Sequence, residues 1–242
     1  MTDFYATNAD IYAAITRPSL PGQLAALRAV MTAPFNGPVV ELAAGIGTAL
    51  STLAALTEQE IFAVEPSIYM RVGLMTTVVS DDALRARVTV LPGTLGDNRD
   101  RLPKQLGGIV VLNALGHFEP SALSALWTFA AQRLAPGGQL VVGLQPPFEP
   151  VEIPWSDFGE SKVGRLTYRT AGTASVDDAG VARWTMRWTT HDTNGAELAR
   201  REASTEWAVV GPKQVTEAAT AVGLKPSGHD LETNMLSFQR PS

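Results

Sequence analysis

The sequence predicts an α/β fold: a doubly wound, mostly parallel sheet with an antiparallel β insertion near the C-terminus. Three observations predict it. Between residues 36 and 150, short β-branched apolar runs alternate with helical stretches, as in parallel strands joined by crossover helices. After Pro150 the hydrophobic period switches to two, the period of half-buried antiparallel strands. One early strand runs into a turn of mostly small residues and then into a helix. A chain of 242 residues suits one domain of this class with an elaboration. The expected division is a helical lid over 1–35, a ligand-binding core over 36–150, the insertion over 151–210, and a helix and strand over 211–242.

Composition narrows the function classes. Hydrophobic residues make up 45% and charged residues 18%, as in a globular protein with a full core. The net charge of −5 argues against nucleic acid, which needs a basic face. There is no cysteine, hence no disulfide framework and no thiol chemistry. No apolar run approaches membrane-spanning length and no signal pattern opens the chain, so a cytoplasmic protein is expected. No His, Asp and Glu cluster has metal-ligand spacing, so no metal is expected.

Residues 9–15 and 23–31 read as helices, the second with Leu24, Leu27 and Met31 in register. Pro34 to Pro38 breaks the pattern. Val39-Val40-Glu41-Leu42 then reads as a short buried strand, and residues 48–56 as a helix striped by Leu50, Leu53 and Leu56. Between them lie Ala43, Ala44, Gly45, Ile46 and Gly47. Such a strand, turn and helix N-terminus cradle an elongated polar ligand, because small side chains let the backbone approach it. A dinucleotide site would read G-x-G-x-x-G, and the third glycine position here is Leu50. Glu41 puts a carboxylate beside the turn, where a pyrophosphate is repelled and a cation is favoured. S-adenosylmethionine carries an ammonium and a sulfonium and no phosphate. An ordinary strand-to-helix turn is the other reading of this stretch.

Ile61 to Val64 is a second buried strand, ended by Glu65. An acid there can accept both ribose hydroxyls of a nucleoside. Pro66-Ser67 opens a helix over 68–79, and Met70 in its first turn either covers an adenine face or packs in the core. Val88 to Leu91 is a third strand, leaving through Pro92-Gly93-Thr94-Leu95. Residues 108–112 form a fourth strand with Asn113-Ala114-Leu115-Gly116-His117 at its carboxyl end, where open α/β sheets place ligands. Residues 121–135 read as a helix, and Pro136-Gly137-Gly138 turns into a fifth strand. In the insertion, residues 165–169, 182–189 and 204–209 alternate with period two. Turn signals at Asp177-Asp178-Ala179-Gly180 and Thr193-Asn194-Gly195 separate them. Trp184, Met186 and Trp188 share one face, Arg183, Thr185 and Arg187 the other. A helix over 214–221, ended by Gly223, and a strand over 235–238 close the chain.

Three stretches together resemble class I S-adenosylmethionine-dependent methyltransferases. They are the turn at 41–47, similar to E-x-G-x-G-x-G with Ala43 at the first glycine; Glu65-Pro66-Ser67; and Leu134-Ala135-Pro136-Gly137-Gly138. Ala114-Leu115-Gly116-His117, the insertion and the ending Ala219-Thr220-Ala221-Val222-Gly223-Leu224 resemble the branch of sugar N,N-dimethyltransferases and glycine N-methyltransferase. The resemblance implies S-adenosylmethionine as cofactor and transfer of a methyl group to an oxygen or nitrogen of a small molecule, a natural product or metabolite. It implies a cofactor site of Tyr12, Glu41, Ala43, Gly45, Gly47, Glu65, Pro66, Met70, Thr94, Leu95 and Asn113. Thr94 stands where the family often has an acid for the adenine amino group, and Asp97 would substitute if its loop folds back. Tyr5 would lie near the acceptor. Tyr5 and Tyr12 read equally well as packing aromatics.

Methyl transfer asks the protein for alignment and for somewhere to send a proton. His117 is the best-placed base, and otherwise a capping or core residue. Glu119 either orients it, binds a cationic acceptor or is solvated. His191 and His229 read as surface groups. Trp155 and Trp184, with Arg169 and Arg187, line an acceptor pocket or form the insertion's own core. Two other functions fit the same fold: a non-methylating, cyclase-like catalyst that binds S-adenosylmethionine, and a catalytically silent binding subunit. The expected partner is a small-molecule methyl acceptor, not nucleic acid or a membrane; a homodimer is left open.

Overall fold

The computed structural model describes residues 4–16, 19–31, 33–177 and 181–242. In chain order its elements are a 3-10 turn (Phe4–Ala6), α1 (Ala9–Ile15), α2 (Leu20–Ala29), β1 (Val39–Leu42), α3 (Leu50–Leu56), β2 (Ile61–Glu65), α4 (Ile68–Val79), α5 (Asp82–Arg87), β3 (Val88–Pro92) and α6 (Leu95–Asn98). There follow β4 (Leu106–Leu112), a 3-10 turn (Leu115–His117), α7 (Pro120–Arg133), β5 (Leu134–Gly143), β6 (Ile153–Val163), β7 (Leu166–Val176), β8 (Val181–His191), β9 (Glu197–Ala208), α8 (Pro212–Ala221), β10 (Lys225–Asp230) and β11 (Met235–Gln239). No described helix is long and apolar enough to cross a membrane. The chain divides into two compact units, Gly22–Gln145 with Val210–Ser242 and Met1–Pro21 with Pro146–Val209.

The first unit is a seven-stranded sheet in the order β10-β11-β5-β4-β1-β2-β3. β3, β2, β1, β4 and β5 run parallel, while β11 and β10 add on antiparallel. Helices cover both faces of the central strands, which are therefore apolar apart from Glu41 and Glu65 toward their carboxyl ends: every residue of β1 is buried. Val39, Leu53, Ile61, Leu74, Leu84 and Val110 meet in one cluster. α2 starts earlier than its apolar register suggests, because Pro21 fits a helix's first turn. α5 escapes a pattern search at six residues; Asp81 caps it, its Oδ1 accepting from the N–H groups of Ala83 (2.8 Å) and Leu84 (3.1 Å). β10 is also new, since its sequence Lys-Pro-Ser-Gly-His-Asp has no strand pattern. It is placed by its partner β11, with Gly228 bare where a Cβ would stand 2.5 Å from the Val30 carbonyl oxygen.

The second unit is a four-stranded antiparallel meander, β6-β7-β8-β9, with α1 packed on β6 and β7. The periodicity in β7, β8 and β9 is borne out: Trp184 and Trp188 are buried, and the other face carries the ion pairs Arg183–Glu206 and Arg187–Glu202. Trp184 stacks on Trp207 with ring centroids 4.9 Å apart. β6 has no alternation to read, because it is a mostly exposed edge strand with a register shift at Gly159 (φ +109°). The turn at 193–195 is present, with Asp192 Oδ1 accepting from the N–H groups of Asn194 and Ala196. The turn signal at 177–180 reaches residues 178–180, which lie outside the described residues. At the other end, Arg201 donates to the Thr7 carbonyl and to both carboxylate oxygens of Asp10. That guanidinium holds the Asp10 carboxyl below its usual pKa.

At Gly107 the loop before β1 lies directly on β4: an added Cβ would stand 2.2 Å from the Gly37 nitrogen, while Gly107 N–H donates to the Pro38 carbonyl at 2.8 Å. Backbone cannot yield there as a side chain can. Gly107→Ala is therefore expected to lose about 3 kcal/mol or more in urea denaturation. Gly22→Ala, in α2 with nothing within 4 Å of its added Cβ, is expected to gain roughly 0.5–1 kcal/mol.

Candidate functional site

The order of strands reverses at β1, with β2 and β3 to one side and β4 and β5 to the other. Ligands of open α/β sheets bind at such a point, over the carboxyl ends of the strands. β1 ends there in a turn that three residues cross in the left-handed region: Ala43 (φ +55°), Gly45 (+59°) and Gly47 (+81°). Glycine adopts this at no steric cost, whereas Ala43 bears the strain of its Cβ. Gly47 also has no room for a side chain, since a Cβ would stand 2.8 Å from Leu74 Cδ1 and 3.0 Å from Leu50 Cδ1.

The turn is fixed from three sides. Ala44 N–H donates to the Val64 carbonyl at 3.1 Å. Thr77 Oγ1 of α4 donates to the Ile46 carbonyl at 2.8 Å. Glu65 accepts from Gly45 N–H through one carboxylate oxygen and from Ser67 N–H through the other, both at 2.8 Å. One side chain thus joins the β1 turn to the β2 exit. Past Pro66, Ser67 caps α4 by accepting from Met70 N–H at 3.4 Å. Arg71 donates to the Glu65 and Pro66 carbonyls, both at 2.7 Å. Met70 is 2% exposed and lies against Gly45.

Glu41 sits at the strand end with its side chain enclosed. It is 3% exposed, and its Oε2 has no hydrogen-bond partner among the described residues. Burial, and then the charge of Glu65, push its carboxyl up to about 8. Leaving a buried carboxyl oxygen unpaired costs about 1–3 kcal/mol, so this atom marks a place for a polar or cationic partner. The two acids at the ends of adjacent strands fit a cationic or hydroxyl-bearing ligand and oppose a phosphate.

After β3, Gly93 (φ +99°) leads into Thr94. Thr94 and Asp97 form a capping box at α6, where Asp97 Oδ2 accepts from Thr94 N–H at 2.8 Å and from its hydroxyl at 2.7 Å. Those bonds hold the Asp97 carboxyl below the usual range. Leu95 is buried behind it. The Thr-x-x-Asp spacing was the available signal for this cap.

Asn113 ends β4 in the left-handed region (φ +53°), a conformation asparagine tolerates, its N–H donating to the Gly143 carbonyl. The 3-10 turn then presents His117, whose N–H donates to the Ala114 carbonyl at 3.0 Å. The ring is exposed to water, yet surrounding protein lowers its pKa through desolvation. Glu119, exposed, stands at the start of α7.

Glu41, the 43–47 turn, Glu65, Pro66, Met70, Thr94, Leu95, Asn113 and His117 all occupy the carboxyl ends of β1, β2, β3 and β4 or the helix starts that follow. Tyr5 and Tyr12 belong to the other unit, where their rings meet edge to face at 5.4 Å. There too Phe4 packs on Trp188, Phe158 on Trp184, and the Arg187 guanidinium lies 4.3 Å over the Trp155 ring. Arg71 and Thr77, which brace the turn, were missed by sequence reasoning, while Ser67 was read as the start of α4.

No protein-family model matches the chain, and no curated protein matches it significantly. Solved structures do. DesVI of Streptomyces venezuelae superposes with a TM-score of 0.76 at 16% identity, over 100% of both chains. CalS10, an amino pentose methyltransferase from Micromonospora echinaspora involved in calicheamicin biosynthesis and solved with S-adenosylmethionine bound, gives 0.72 at 16% identity over 95% of this chain and 96% of its own. The sugar N-methyltransferase KedS8 from a Streptoalloteichus species gives 0.65 at 16% identity over 100% and 89%. At such identity the likeness establishes architecture: the chain has the class I S-adenosylmethionine-dependent methyltransferase fold.

Proposed function

We propose that this chain is an S-adenosylmethionine-dependent methyltransferase acting on an oxygen or nitrogen of a small molecule, with the two units working as one methyltransferase domain. The observation that carries the reading is Glu41 Oε2, enclosed and without a partner among the described residues, beside a left-handed turn at the switch point of the sheet. The residues present fit the cofactor: Glu41 answers a cation, the bare turn admits its backbone-hugging portion, and Glu65 suits ribose hydroxyls. Asp97 and Leu95 suit the adenine end. When bound, the cofactor supplies an electrophilic methyl group on a sulfonium. The similarity to structures described as amino pentose and sugar N-methyltransferases supports a small polar acceptor. The roles of Tyr12 and Tyr5 rest on the family resemblance.

His117 is the group proposed to take the acceptor's proton. Its lowered pKa leaves it unprotonated, and so able to accept, above the ordinary imidazole range. His117→Asn is expected to lower kcat roughly 100-fold with cofactor affinity nearly intact, the loss shrinking as pH rises. Wild-type turnover across the pH range would make the ring structural.

Glu65→Gln, which keeps one accepting oxygen, is expected to weaken S-adenosylhomocysteine binding by about 1–3 kcal/mol in calorimetry. An affinity equal to wild type would take Glu65 out of the site.

Glu41 links binding and stability to pH. Its folded pKa of about 8 lies above the ordinary 4.5, so between those values the folded chain holds a proton that the unfolded chain has lost. Stability of the unliganded protein therefore falls as pH rises through this window, by at most about 1.4 kcal/mol per pH unit from this group. Glu41→Gln should flatten that slope in denaturation measured at several pH values. A cationic ligand beside Glu41 favours its carboxylate. Calorimetry near pH 7 in buffers of different ionisation enthalpy should thus show proton release on S-adenosylmethionine binding in wild type and none in Glu41→Gln. Equal proton release in both would remove Glu41 from contact with the ligand's charge.

A further inference from the structure

The four-stranded sheet of the smaller unit divides its residues between a charged face and a packing face. On β7 and β8 the odd positions carry the charge, with Arg169, Arg183 and Arg187 each paired to a glutamate. The even positions are apolar, and Ala174, Ala182, Trp184 and Trp188 are buried there. This packing face also holds three polar atoms left over from the fold. Thr170 Oγ1, Trp184 Nε1 and Trp188 Nε1 are enclosed and have no hydrogen-bond partner among the described residues. Their residues are 7%, 5% and 4% exposed. Roughly 90% or more of buried polar groups are paired in folded proteins, and each one left alone opposes folding. Three on one face of one sheet call for a common reason.

Thr170 and Trp188 stand directly opposite each other in the β7–β8 ladder, which sets their Cβ atoms about 5 Å apart on that face. Trp184 lies further along β8, across from Ala174. The rings are held in place. Trp184 stacks on Trp207 at 4.9 Å and meets Phe158 edge to face at 6.0 Å, while Trp188 meets Phe4 at 5.8 Å. Packing thus orients each indole N–H without giving it an acceptor.

We propose that this face is a binding site for an uncharged small molecule bearing carbonyl, ether or hydroxyl oxygens on an apolar frame. An indole N–H donates and never accepts, while a threonine hydroxyl does either. What these atoms lack is a lone pair, and they are set among aromatic rings, the make-up of a small-molecule site. The surroundings select against charge. Along the ladders of β6 to β9, the one ionised side chain on this face is Arg201, which pairs with Trp188 in register. Its guanidinium is already engaged with both carboxylate oxygens of Asp10. A carboxylate or an ammonium brought here would lose its water and gain no counter-charge. All of these residues belong to one compact unit, and the proposal does not depend on the proposed activity.

NMR of the full ¹⁵N-labelled chain, with no cofactor added, tests it. The five tryptophans give separate indole signals, and Trp184→Phe and Trp188→Phe identify the two of interest. The probes share one frame: cyclohexanone, cyclohexylammonium and cyclohexanecarboxylate. Cyclohexanone is expected to move the Trp188 signal downfield and to saturate, as a free N–H gains an acceptor. The charged probes should bind about tenfold more weakly or worse. Thr170→Val should weaken cyclohexanone about fivefold. Its urea midpoint should be no lower than that of wild type, because the hydroxyl gives up no bond in the folded chain. Indole signals that ignore cyclohexanone, a charged probe that binds as well, or a Thr170→Val chain that unfolds in less urea would each overturn the proposal. So would a long-lived water cross-relaxing with the Trp188 indole proton, which would give these atoms to an internal solvent molecule.

Discussion

The Glu65 carboxylate is the tie on which the candidate site depends. Its two oxygens take the N–H groups of Gly45 and Ser67, both at 2.8 Å. Gly45 belongs to the turn leaving β1, and Ser67 to the cap of α4. A charged acceptor makes such bonds about twice as strong as neutral ones. Cut at this point, the turn would keep its glycines but lose the strand exit that orients it. The placing of Ser67, and through it the first turn of α4, would loosen together with Met70 beneath Gly45.

The cost of that arrangement falls on Glu41. A second acid lies near the first, inside the protein, with no donor for its Oε2 among the described residues. Folding alone gives no reason to keep a carboxyl there, and an apolar residue would serve the strand better. Stability traded for an unsatisfied, preorganised polar group is the mark of a place kept for something else.

Much of this was legible in the sequence. β1, β2 and α4 fall where periodicity, Pro38 and Pro66-Ser67 placed them, because their local signals agree with their tertiary surroundings. The period-two reading of β7, β8 and β9 also held, since alternate residues there meet core and solvent. What was not legible lacked local signal. β6 and β10 are edge strands without a regular alternation that exist through the strands they pair with. α5 and α6 are too short to show a period, and their starts are held by caps, Asp81 at α5 and Thr94 with Asp97 at α6. Around the site, the acidic residues and glycines could be read from spacing. The capture of Glu65 by two backbone donors, the Thr94–Asp97 box and the left-handed Ala43 are matters of three-dimensional closure. Ala43 departs from the family's glycine pattern, and the backbone keeps the glycine's conformation there in spite of it.

The bond between Arg201 and Asp10 spans 191 positions of the sequence. Seen from the ribosome, it sets an order of events. The N-terminal helix is made before β6 and β7, on which it packs, and its Asp10 waits further, until β9 brings Arg201. At about 5–20 residues per second, that wait is on the order of 10–40 s. The large sheet cannot close sooner either, because β10 and β11 come from the last stretch of chain. Both units are therefore completed late, the small one by β9 and the large one by β10 and β11. A nascent chain stalled before β6 would carry two unfinished structures at once, with the aromatic residues Phe4, Tyr5 and Tyr12 still in search of a surface.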